Sequence, residues 1–150
     1  MNLIQEINDV CDRQFPAILI GSRSLDNCVP GYKVSAVRSD YDFIVSIRNW
    51  NKILGVVDKN VYVDPMAAGP AVRESNYNKG IKFFVKPKLE KFEINLIPLH
   101  ESEYHIWKQA NVALLALAAS DEQFRFRIQN KERRIAVYEQ FKSTIKLTLA

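Results

Sequence analysis

The sequence predicts an α+β (α/β) domain over residues 1–150, with a mixed sheet of four or five strands, an N-terminal helix and two C-terminal helices. Three observations carry that prediction. Apolar residues recur at i, i+3 and i+4 near both ends of the chain, the signature of helices lying on a core. Short apolar or alternating runs, bounded by Gly, Pro and Asp, fill the middle and read as strands. The chain has 150 residues, 47% of them hydrophobic and 25% charged, with no repeat, low-complexity tract or linker. That is enough to bury one real core.

Taken in order, Leu3, Ile4, Ile7, Val10 and Cys11 keep helical spacing, with Glu6, Asp9, Asp12 and Arg13 on the other face. A helix is expected over residues 3–13, stopped by Pro16 because the residue before proline avoids the helical region. Ala17 to Ile20 is wholly apolar and reads as a strand buried on both faces. Residues 24–38 hold Asp26, Asn27, Pro30 and Gly31 and suit a loop or a short irregular helix. Phe43, Ile44, Val45 and Ile47 form the next strand, and a short helix around Trp50 and Ile53-Leu54 is expected to close at Gly55. Val61-Tyr62-Val63 is a brief strand, and Asp64 to Gly80, with two prolines and two glycines and no clear period, reads as a long loop. Ile81 to Val85 and Phe92 to Leu99 are strands joined by a short link, hence a hairpin. Tyr104, Trp107, Ala110, Leu114, Leu117 and Ala118 define one C-terminal helix. Ser120-Asp121 breaks it, and a second helix is expected to run to about Lys146 on a stripe of Phe124, Ile128, Ile135, Tyr138, Phe141 and Ile145.

Chemistry concentrates at two places. Gly21-Ser22 ends the first buried strand. Glycine lets the backbone approach a phosphate, while successive N–H groups and the hydroxyl can donate to its oxygens. Asp40 and Asp42 open the next strand and, two residues apart, project on the same side. Adjacent carboxylates stay ionised most easily with a cation between them, and Mg²⁺ takes carboxylate and phosphate oxygens together. Glu93 occupies an alternating strand where a third metal ligand belongs, with Asp64 the competing candidate. Arg73, Asn76, Tyr77 and Lys79 are polar residues of the long loop with the reach to meet a ligand.

The bulk properties set bounds. Cys11 and Cys28 have no metal-ligand spacing and read as free thiols. No stretch approaches the roughly 18 apolar residues of a membrane span, and the first residues lack the pattern of a signal peptide, which predicts a cytoplasmic protein. The formal net charge of +4 suits a polyanionic ligand without requiring one. Arg127, Lys131 and Arg134 line a basic face that could track nucleic-acid phosphates, although Glu122, Glu132 and Glu139 are interspersed with them.

The order Gly21-Ser22, Ser39-Asp40-Tyr41-Asp42-Phe43, then Glu93 in a later strand resembles the nucleotidyltransferase superfamily, the group of DNA polymerase beta, poly(A) polymerases, aminoglycoside nucleotidyltransferases and small stand-alone members. The resemblance covers residues 17–97. It implies a metal-dependent transfer of a nucleoside monophosphate from an NTP such as ATP to an acceptor, which is a protein, an RNA end or a small molecule. Asp40, Asp42 and Glu93 would hold two Mg²⁺ or Mn²⁺ ions, with Glu93 also a candidate base. Gly21, Ser22 and Ser39 would bind the nucleotide, and Arg23 or Lys79 would neutralise the departing pyrophosphate. The competing expectation is a catalytically silent copy of the same fold that binds a partner protein or nucleic acid.

Overall fold

The computed structural model describes residues 3–32, 41–65, 81–85 and 93–149, with side chains described over 5–32, 41–56 and 96–149. Ser39, Asp40, Arg73, Asn76, Tyr77 and Lys79 lie outside the described residues. The elements are α1 (Leu3–Val10), β1 (Ile18–Ile20), α2 (Gly21–Cys28), β2 (Tyr41–Ser46), a 3₁₀ turn (Ile47–Asn49), α3 (Trp50–Asn60), β3 (Val61–Pro65), β4 (Ile81–Val85), β5 (Glu93–Leu99), α4 (Glu101–Ser120), α5 (Glu122–Arg127) and α6 (Lys131–Leu149). The chain is α+β with a mixed sheet ordered β1-β2-β5-β4-β3. β2 and β5 run parallel, β4 is antiparallel to β5, and β3 is antiparallel to β4. Among the described residues no helix is long and apolar enough to cross a membrane.

Two compact units interleave along the chain: Met1–Leu19 with Asp40–Tyr104, and Ile20–Ser39 with His105–Ala150. In the first, Ile7 of α1 and Trp50 and Ile53 of α3 cluster with Phe43, Val45 and Leu96 of the sheet. The helix α1 stops at Val10, short of the expected 13, because Asp12 organises its own turn. Its Oδ1 accepts from Gln14 N at 2.9 Å, and its carbonyl accepts from Phe15 N at 2.9 Å. Asn49, fully buried, fastens that turn: Oδ1 accepts from Asp12 N at 3.0 Å and Nδ2 donates to Phe15 O at 2.8 Å. Arg48 lies over the Phe15 ring and pairs with Asp12 at 3.5 Å and Glu101 at 2.6 Å. The Gln14 N–H, then Arg48, hold the Asp12 carboxyl below its ordinary range. Burial pushes the Cys11 thiol up, and burial raises the Tyr104 phenol to about 12 while its hydroxyl donates to Pro16 O.

α3 does not close at Gly55 but continues through it to Asn60, and a Cβ at Gly55 would meet nothing within 4 Å. Glycine here is a weak helix former rather than a cap. β3 runs on to Pro65, so Asp64 sits inside a strand rather than opening a loop. Proline fits there because β3 ends the strand order, where a missing ladder donor costs least.

In the second unit Leu25 and Val29 pack with Tyr32, Leu114, Ala118, Phe124 and Ile128. The stretch expected to be a loop or irregular helix instead carries a regular helix, α2, that begins at Gly21 itself. The single helix expected beyond Asp121 is two. Asp121 Oδ1 caps α5 by accepting from Phe124 N at 3.1 Å, and Asn130 Oδ1 starts the turn of α6 by accepting from Arg133 N at 3.0 Å. The break moves the apolar stripe: Phe124 and Ile128 are buried, whereas Ile135 is 49% exposed and Leu117 of α4 is 37% exposed. Lys142 is buried against Trp107, its Nζ 3.9 Å from the ring centroid and 2.8 Å from Glu139 Oε1.

Candidate active site

The described part of the predicted carboxylate site rests on β2 and β5. Asp42 is half-buried at the second residue of β2, and Phe43, Ile44, Val45 and Ser46 behind it are all buried. A strand that is polar at its entry and buried along the rest holds its polar end at the rim of a core. The parallel register sets Asp42 opposite Asn95 and Tyr41 opposite Ile94, so Glu93 sits two residues before the partner of Asp42 on the adjacent strand. Positions 42, 93 and 95 therefore share one face, opposite the face of Phe43, Val45 and Leu96 that meets α1 and α3.

Asp64 is placed elsewhere. The strand order puts β3 three strands from β2, about 14 Å at the usual strand spacing. Of the two candidates for a third carboxylate, Glu93 alone lies on the strand beside Asp42. Asp40 falls outside the described residues, so the pair of aspartates is represented by Asp42. Among the described residues, which include neither Asp40 nor the Glu93 side chain, no three His, Cys, Asp or Glu side chains are disposed to hold a metal ion.

A feature the sequence reading passed over is a transverse row. Asp42 is opposite Asn95, Asn95 opposite Lys82, and Lys82 opposite Asp64, so four polar positions line up across four neighbouring strands. The signal was present in β4, where Lys82 alternates with Ile81 and Phe83, but the pairing that aligns it with Asp42 is non-local.

Gly21 and Ser22 are taken separately, as they belong to the other unit. Gly21 has φ +74°, a backbone conformation natural to glycine, and it is the first residue of α2. Ile20 in the cap position is extended and offers no side-chain cap. Ser22 and Arg23 are half-buried on that turn. Ser24 is buried and accepts from Asn111 Nδ2 at 3.4 Å, which ties α2 to α4.

The expected basic face is divided. Arg127 belongs to α5 and lies over the Phe124 ring, whereas Lys131 and Arg134 belong to α6. Arg134 donates to Tyr32 Oη at 3.0 Å and to Ile128 O at 3.3 Å, an internal tie across the α5–α6 corner. Arg127 and Lys131 are exposed. Both cysteines are free thiols. No protein-family model, curated protein or solved structure matches the chain.

Proposed function

We propose that the protein is a metal-dependent nucleotidyltransferase, transferring a nucleoside monophosphate from an NTP to an acceptor hydroxyl with release of pyrophosphate. The fold would then be nucleotidyltransferase-like, its sheet carrying the carboxylates. The observation that supports this reading best is Asp42, half-buried at the entry of β2, with Glu93 on the neighbouring parallel strand.

The donor set fits the metal such a reaction needs. Carboxylates on adjacent strand starts are hard oxygen ligands suited to Mg²⁺ or Mn²⁺, and Asp40, Asp42 and Glu93 would hold two ions. Bound there, the metal supplies charge stabilisation at the phosphoryl oxygens and a more acidic acceptor hydroxyl. In this assignment Glu93 accepts the proton as the acceptor oxygen bonds to the α-phosphorus, and the bond from that phosphorus to the β-phosphate oxygen breaks. Gly21 and Ser22 donate to phosphate oxygens through N–H groups and the hydroxyl, with Ser39 a further nucleotide contact. Arg23 or Lys79 balances the charge that collects on the departing pyrophosphate.

The test is thermal stability of wild type and of Asp40→Ala/Asp42→Ala with each of the four NTPs, with and without Mg²⁺ or Mn²⁺. A ligand that binds only the folded chain at a hundred times its Kd adds about 2.7 kcal/mol. A metal-dependent rise with at least one NTP, absent in the double variant, is expected. No rise with any NTP overturns the reading, and the partner-binding alternative takes its place.

A further inference from the structure

The formal charge of the chain is gathered toward its end. From Glu122 to Ala150 there are seven lysines and arginines against three glutamates, an excess equal to the net +4 of all 150 residues, and the charges before Glu122 balance. Within that segment the corner between α5 and α6 is drawn tight: Gln129 N donates to Phe126 O at 3.2 Å, Asn130 N to Arg127 O at 3.3 Å and Arg134 N to Asn130 O at 3.0 Å. Phe126 is 81% exposed there, although Phe124 and Ile128 on either side of it are buried in the core of the second unit. Arg127 is exposed too, and its guanidinium lies over the buried Phe124 ring, 5.3 Å from the centroid. A guanidinium stacked on a fixed ring has less side-chain freedom left to lose when a ligand arrives. Lys131 and Arg133 are exposed on the first turn of α6, and among the described residues no carboxylate pairs with either of them or with Arg127. Arg125 and Arg134 are engaged internally, on Ala118 O and on Tyr32 and Ile128 O, so Arg134 leaves the basic face that its spacing predicts.

One bare ring, one braced guanidinium plane and two further exposed cations match the chemistry of a single-stranded polynucleotide, whose bases offer flat faces and whose phosphates each carry a charge. A duplex keeps its base faces stacked away from such a ring. An anionic bilayer would satisfy the cations, but helices that lie in its surface are held by a continuous apolar face. Here the neighbouring apolar residues, Phe124 and Ile128, are buried in the core, and Phe126 is left alone between two arginines. We propose that the α5–α6 corner docks single-stranded nucleic acid, with a base stacked on Phe126 and phosphates held by Arg127, Lys131 and Arg133. The surface lies within one unit, and it is independent of the nucleotidyltransferase reading.

The experiment is fluorescence anisotropy on the full chain with labelled single strands of about 12 uridines or thymidines, a length within the usual site sizes of such surfaces, against a duplex of equal length and over a range of salt. Vesicles of phosphatidylcholine with phosphatidylserine are sedimented with the protein in parallel. Wild type is compared with Phe126→Ala, Phe126→Leu, Phe126→Tyr and Lys131→Gln/Arg133→Gln; all four positions changes touch exposed side chains, so the melting temperature should hold. Phe126→Ala and Phe126→Leu are expected to weaken single strands about tenfold at unchanged salt dependence, the size of one lost stacked base, while Phe126→Tyr stays within about threefold of wild type. Lys131→Gln/Arg133→Gln should flatten the slope of log K against log salt by about 1.4, the share of two phosphates on a single strand. Phe126→Leu that binds as wild type does would make the contact apolar rather than stacked and overturn the proposal. A duplex bound as tightly as the single strands marks a general polyanion surface, and vesicles bound in preference to both mark a membrane surface; either result overturns it. So does wild type with no affinity for any strand at low salt.

Discussion

Asn49 and Tyr104 show how single polar groups fix the approach to the sheet. Asn49 uses its acceptor and its donor on two backbone groups of one turn, Asp12 N and Phe15 O, while being fully buried. Truncation leaves both backbone partners without it, and each buried group so deprived costs about 1–3 kcal/mol. Asn49→Ala is therefore expected to lower stability by roughly 2–4 kcal/mol, read as a lower urea midpoint at unchanged slope; an unchanged midpoint contradicts this account of the turn. Tyr104 makes a pH prediction. Burial raises its phenol from 10 to about 12, so the folded state holds the proton more tightly than the unfolded chain. The sign follows: the contribution is complete below pH 10 and is lost as pH rises from about 10 toward 12. A shift of that size corresponds to about 2–3 kcal/mol. Wild type should lose stability over this range more steeply than Tyr104→Phe, which lacks the titrating group; parallel pH profiles would count against it.

At the scale of elements, α3 contains a residue that local physics does not favour. Gly55 is exposed in mid-helix, and an added Cβ meets nothing within 4 Å. Gly55→Ala is expected to raise stability by about 1 kcal/mol, measured as a higher melting temperature, because alanine loses less backbone entropy in a helix. Glycine by itself predicts a stop here, whereas the helix continues to Asn60, with Val56 packed against the core cluster that holds Trp50 and Ile53. Tertiary burial outweighed local propensity there. Conversely, the break between α5 and α6 is signalled by Asn130, a good cap residue, inside an apolar stripe whose spacing alone predicts one continuous helix. Strand identity at Phe43–Val45 and Ile81–Val85 followed from composition alone, and the alternation of β5 pointed to Glu93. Strand order could not be read in this way. β5 lies between β2 and β4, so the strand next to Asp42 is remote in sequence, and local periodicity carries no information about such pairing.

The whole molecule joins two units by three crossings of the chain, at residues 19–20, 39–40 and 104–105. Each described core cluster draws on one unit only: Ile53 packs with Phe43, Val45 and Leu96, and Leu114 packs with Leu25, Phe124 and Ile128. A cavity made in one cluster removes contacts from that cluster directly. Leu114→Ala and Ile53→Ala should each cost about 3 kcal/mol, the usual range for emptying a buried aliphatic site. Their distribution is the informative quantity. Under native conditions, amide hydrogen exchange should rise in α2 and α5 for Leu114→Ala while β2 and β5 keep most of their protection, and the pattern should reverse for Ile53→Ala. Equal loss everywhere in both variants would mean that the units open only together, as one cooperative block. The distinction bears on β2 and β5, since Asp42 and Glu93 belong to the first unit. Metal alone should protect only the carboxylate strands.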